Sequence, residues 1–120
     1  MLFRSLQTLI LLCKTDGDSF LRQAGARLLF VIAIREPGKQ NMIRDIFTQL
    51  QASRQPHLRM NGERGLEMLA LGDLLEEARL HPERIQQIKA QLANYREANL
   101  AFAASVVLDE INKMEVKVKK

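Results

Sequence analysis

The sequence predicts an all-α protein: a short right-handed α-solenoid of stacked helix pairs, closed by a long C-terminal helix or a degenerate third pair. Two observations predict it. First, the chain matches itself at a shift of 37 residues, which lays FLRQAGARLLFVIAI (20–34) over HLRMNGERGLEMLAL (57–71). Six of the fifteen positions are identical: Leu21/Leu58, Arg22/Arg59, Gly25/Gly62, Arg27/Arg64, Leu29/Leu66 and Ala33/Ala70. Three more, Val31/Met68, Ile32/Leu69 and Ile34/Leu71, exchange one apolar side chain for another. Second, the same shift places Leu6, Leu9, Ile10 and Cys13 on Ile43, Ile46, Phe47 and Leu50, with helical spacing. A period of this size means helix pairs that share a core with their neighbours. A compact helical bundle, with an accidental self-match, is the alternative.

The elements follow in order. Leu6, Leu9, Ile10 and Cys13 make one face of a helix over about 3–14. Asp16-Gly17 is a turn, and Asp18 or Ser19 can accept from the free N–H groups of the next helix. That helix covers about 19–35, with Phe20, Ala24, Leu28 and Val31 on one stripe and Leu21, Leu29 and Ile32 on another. After Arg27 it is apolar nearly all round, so its C-terminal half is expected to be buried. Glu36-Pro37-Gly38 stops it, because proline cannot continue the hydrogen-bond ladder.

The second pair begins near Asn41 and carries Met42, Ile43, Ile46, Phe47 and Leu50. After a turn at 51–55, Pro56 is an early helix position, where a missing N–H costs nothing. Its second helix is expected over about 57–71. Gly62 and Gly65 lower its propensity by roughly 1 kcal/mol each. The match of Gly62 to Gly25 suggests a close helix approach. Asp73 to Arg79 reads as a separate short helix or turn. Pro82 opens another helix, with Glu83 near its positive end. From Glu83 to about Met114 the pattern fits either a third pair with a kink near Ala93–Ala98, or one helix of about 32 residues, roughly 48 Å. Ile85, Ile88 and Leu92 copy the spacing of Ile43, Ile46 and Leu50. The charged end from Lys113 is expected to fray. No segment reads as a strand. The chain is therefore expected to form one helical domain: repeat 1 over about 3–35, repeat 2 over about 41–72, and a helical cap over about 73–115.

Hydrophobic residues make up 47% of the 120 positions, enough for a core, so wholesale disorder is excluded. The single cysteine, Cys13, can form no internal disulfide, which points to a reducing, cytoplasmic setting. It lies on an apolar stripe and reads as a buried structural thiol. The longest apolar run, Leu28 to Ile34, is far short of the roughly 20 residues needed to cross a bilayer. The opening Met1–Ser5, MLFRS, reads like a translated sequencing adapter, so the chain is either a C-terminal fragment or has an ordinary start.

The stretch Asp18-Ser-Phe-Leu21-Arg22-Gln-Ala24-Gly-Ala26-Arg-Leu28-Leu29 resembles the second helix of a HEAT-type repeat. That family places a turn Asp before a Val/Leu-Arg pair, then small residues, then a Leu. The resemblance, to the HEAT/armadillo-like helical-repeat family, covers about residues 3–72. The second copy departs from it: Ser53, Gln55 and Asn61 stand where the first has Asp16, Asp18 and Ala24. The resemblance implies a non-catalytic scaffold that binds another protein, or occasionally nucleic acid, along its second helices. It also implies that Arg22, Arg59 and Asp18 tie one repeat to the next. Candidates for the exposed, partner-binding side are Gln23, Ala26, Arg27 and Phe30, with Met60, Glu63, Arg64 and Glu67. The plainer reading of the arginines is solvated surface charge.

No residue set with catalytic spacing stands out, so the chain is read as not an enzyme, with no cofactor and no metal. His57 and His81 are 24 residues apart and have no Cys or His companion at ligand spacing. His57 occupies the slot of Phe20; His81, before Pro82, reads as a turn or capping residue. Glu76-Glu77 are adjacent, and adjacent side chains on a helix diverge.

Net charge is +4 and unevenly spread: residues 35–64 hold six Arg/Lys against three acids, residues 65–97 four against six. A basic middle beside an acidic band suits a protein with complementary patches. One Tyr and no Trp leave little for base stacking. A basic nucleic-acid-binding domain, with Arg22, Arg27, Arg59 and Arg64 on a phosphate backbone, stays open as an alternative. So do self-association through 83–114 and a helical regulator or chaperone acting as a dimer.

Overall fold

The computed structural model describes residues 19–118, and side-chain exposure for 23–115. The expected helix over 3–14, its Cys13, and the turn at Asp16–Asp18 lie outside the described residues. The described chain is all-α, with five α-helices and no strand: α1 (Ser19–Arg35), α2 (Gln40–Gln51), α3 (Pro56–Leu80), α4 (Ile85–Leu92) and α5 (Ala98–Val118). Single 3-10 turns, Pro37–Lys39 and Pro82–Arg84, precede α2 and α4. Two compact units divide the chain, Met1–Leu69 and Ala70–Lys120, with α3 contributing to each.

In the first unit α1 packs on α2. Residues at helical spacing form the buried face of α1: Ala26, Leu29, Phe30, Ala33 and Ile34. The burial is one-sided, which corrects the expectation of a segment enclosed all round: Leu28 is 48% exposed. The buried residues of α2 are Ile43, Phe47 and Leu50. At the end of α1 the residue before Pro37 leaves helical geometry, because the proline ring disfavours the α region there. Glu36 sits at φ −127°, ψ 82°. The orphaned carbonyls are still met. The Glu36 N–H donates to the Ile32 oxygen at 2.8 Å, and the Gln40 side-chain amide donates to the Ala33 oxygen at 3.1 Å. Between α2 and α3 the turn is held by the Gln55 N–H, which donates to the Ser53 hydroxyl at 3.1 Å.

The expected close approach at Gly62 is present, and Gly65 shares it. A Cβ on Gly62 would stand 2.6 Å from the Phe47 carbonyl oxygen and 2.9 Å from the Gln51 Cα. A Cβ on Gly65 would overlap the Phe47 ring. The glycines that weaken α3 intrinsically are therefore what let the α2 backbone lie against it.

Helix α3 runs 25 residues without a break, so the separate helix expected at Asp73–Arg79 is its continuation. Gly72 costs about 1 kcal/mol of propensity. Burial of Leu69, Leu71, Leu75 and Ala78 around it outweighs that, at roughly 1.5–3 kcal/mol per large apolar side chain.

In the second unit α4 packs on α5. Buried residues are Leu71, Leu75, Ala78, Ile88, Leu92, Ala103, Ala104, Val107 and Ile111. The region 83–114 is two helices, not one. The Asn94 side-chain amide folds back onto the Ala90 carbonyl at 3.2 Å, ending α4. The Glu97 carboxylate accepts from the Leu100 N–H at 2.8 Å, capping α5 where the helix dipole favours negative charge. The expected fraying from Lys113 is also corrected: α5 continues to Val118. Lys113 bridges to Asp109 and Glu110 at 3.4 and 3.5 Å, and Glu115 pairs with Lys89 of α4.

Candidate functional site

The candidate surface is built on second helices, and the local unit that positions them recurs. Each unit starts with a residue held extended by a following proline: Glu36 at φ −127°, ψ 82°, and His81 at φ −132°, ψ 73°. A 3-10 turn follows, closed by Lys39 N–H to the Glu36 oxygen and by Arg84 N–H to the His81 oxygen, both at 2.9 Å. Then come a short helix, a turn and a long helix that carries a buried asparagine near its start, Asn61 or Asn99. The turns align Pro37 with Pro82, Ile43 with Ile88 and Phe47 with Leu92, a shift of 45 residues. Those four apolar residues are all buried. Apolar spacing alone suggested a shift of 42, which is nearly one helical turn away.

The structure distributes the candidate residues as follows. On α1, Gln23 is exposed and Arg27 half-buried. Phe30, expected on the exposed side, is 0% exposed, and Ala26 is buried with it. The correction has a simple cause: Phe30 follows Ala26 by four residues, so both lie on the face that builds the core. On α3, Met60 is 59% exposed, Glu63 and Glu67 are exposed, and Arg64 is half-buried. The Arg64 guanidinium donates to both Glu67 carboxylate oxygens at 3.2 Å, an exposed pair one turn apart. Met60, Glu63, Arg64 and Glu67 thus share one solvent face around an apolar side chain. Of the residues expected to join repeats, Arg59 is exposed, the Arg22 side chain is outside the described range, and so is Asp18.

One set was missed. Counted from the buried asparagines, Ala98, Ala101, Phe102 and Ser105 of α5 take the places of Met60, Glu63, Arg64 and Glu67. Their exposure follows the same order: Ala98 and Ser105 exposed, Phe102 half-buried, with Ala101 more covered than Glu63. The available signal was Asn followed four residues later by a small residue, Gly65 or Ala103.

Other groups stay apart. Glu76 pairs with Arg79 at 3.1 Å and Glu77 with Arg84, so the two carboxylates do not converge. His81 lies in its turn as expected, its Nδ1 3.3 Å from Glu83. His57 is half-buried. Among the described residues there is no group of three or more His, Cys, Asp or Glu able to hold a metal ion. No described helix is long and apolar enough to cross a membrane. No family model matches the chain, and no curated protein or solved structure does either.

Proposed function

We propose that this chain is a non-catalytic helical-repeat module, of HEAT/armadillo-like solenoid type, that binds a partner protein through the solvent faces of its second helices. The observation that carries the reading is the recurrence of one local unit. The same proline turn, short helix and long helix with a buried asparagine occur twice, with matched dihedrals and hydrogen bonds. Repetition of a small unit generates an extended surface rather than a reaction centre. Met60, exposed and bordered by Glu63 and the Arg64–Glu67 pair, is the anchor, with Gln23 and Arg27 on α1 as further contacts. An adaptable apolar side chain within a charged border suits protein recognition.

A second reading is a compact helical bundle acting as a dimeric regulator or chaperone. It is favoured by the 25-residue length of α3, about 38 Å, which suits a bundle helix. The basic alternative is favoured by exposed Arg54 and Arg59 in the stretch richest in cations. One comparison separates the three. Affinity purification with the wild-type chain and with M60D/E67R is followed by mass spectrometry, light scattering and a salt titration against duplex DNA. Loss of one protein in the variant, with unchanged folding, supports the scaffold. A concentration-dependent dimer mass with no lost partner supports the bundle. DNA binding that collapses between roughly 50 and 200 mM salt supports the nucleic-acid reading.

A further inference from the structure

We draw no further inference here: the strongest candidate, the partly exposed apolar stripe of Ala24, Leu28 and Val31 along α1, is a helix face without a partner among the described residues, and nothing in the structure shows what covers it.

Discussion

The ring of Phe47 on α2 fills the space that any side chain on Gly65 of α3 would enter. One turn earlier on α3, Gly62 meets the α2 backbone itself, at the Phe47 carbonyl and Gln51. A large side chain and two bare backbone positions form a single fit. Its parts carry different consequences when altered.

Alanine in a helix interior ordinarily gains about 1 kcal/mol over glycine. At these two sites overpacking, at about 1–3 kcal/mol or more, opposes that gain. Gly62→Ala and Gly65→Ala are both expected to lower stability in urea denaturation. Phe47→Leu should recover part of the loss for Gly65→Ala, because the obstruction is a side chain. It should recover nothing for Gly62→Ala, where the obstruction is backbone. Equal rescue of both would mean that the helices separate freely.

Phe30 and Met60 were both expected on the exposed side, and only Met60 is there. Phe30→Ala removes a fully buried ring and should cost about 3–5 kcal/mol. Met60→Ala removes a side chain 59% exposed and should change stability by no more than about 0.5 kcal/mol. Chemical denaturation of the two variants measures both. A Phe30→Ala protein as stable as wild type would remove Phe30 from the core.

Lys89 and Glu115 join α4 to α5, with side chains 26% and 27% exposed. Partial exposure keeps the pair at about 0.5–1 kcal/mol, screened by salt. Lys89→Glu should destabilise by about that amount at low ionic strength, and K89E/E115K should restore most of it. A double-mutant cycle run at low and at 0.5 M salt tests this. A coupling energy that salt does not change would contradict it.

Glu97 caps α5 by accepting from the Leu100 N–H. Glu97→Ala should cost about 0.5–2 kcal/mol, in the range for a lost cap. It should also speed hydrogen exchange at the Leu100 amide. Glu97→Gln keeps an acceptor oxygen and loses the charge, so it should fall between the two. Unchanged exchange at Leu100 in the alanine variant would show that the cap does not hold the end of the helix.

Much of the secondary structure was legible because proline and helical periodicity are local signals. Pro37 and Pro82 each end a helix and start a 3-10 turn, and Pro56 opens α3. The starts and ends of α1 and α2 follow from those positions and from the apolar spacing between them. Exposure was legible in part: Gln23, Met60, Glu63 and Glu67 are exposed, as the sequence reading expects. The misreadings share a cause. Asp73–Arg79 reads as a separate helix or turn until the leucines on either side of Gly72 are seen to be buried. The run across Ala93–Ala98 stays open between a kink and one helix until Asn94 and Glu97 are seen to bond the backbone.

By itself, the sequence determined that this protein is helical and where prolines punctuate it. Each of these depends on residues a few positions apart. Only the tertiary structure decided which face of α1 enters the core, hiding Phe30, which lies on neither stripe read from the sequence, and leaving Leu28 partly in solvent. It also gave the turns at Pro37 and Pro82 the same local geometry. The physical reason is that an amphipathic pattern looks alike when moved by a helical turn, so the choice among its registers belongs to the neighbouring helix that fills the groove.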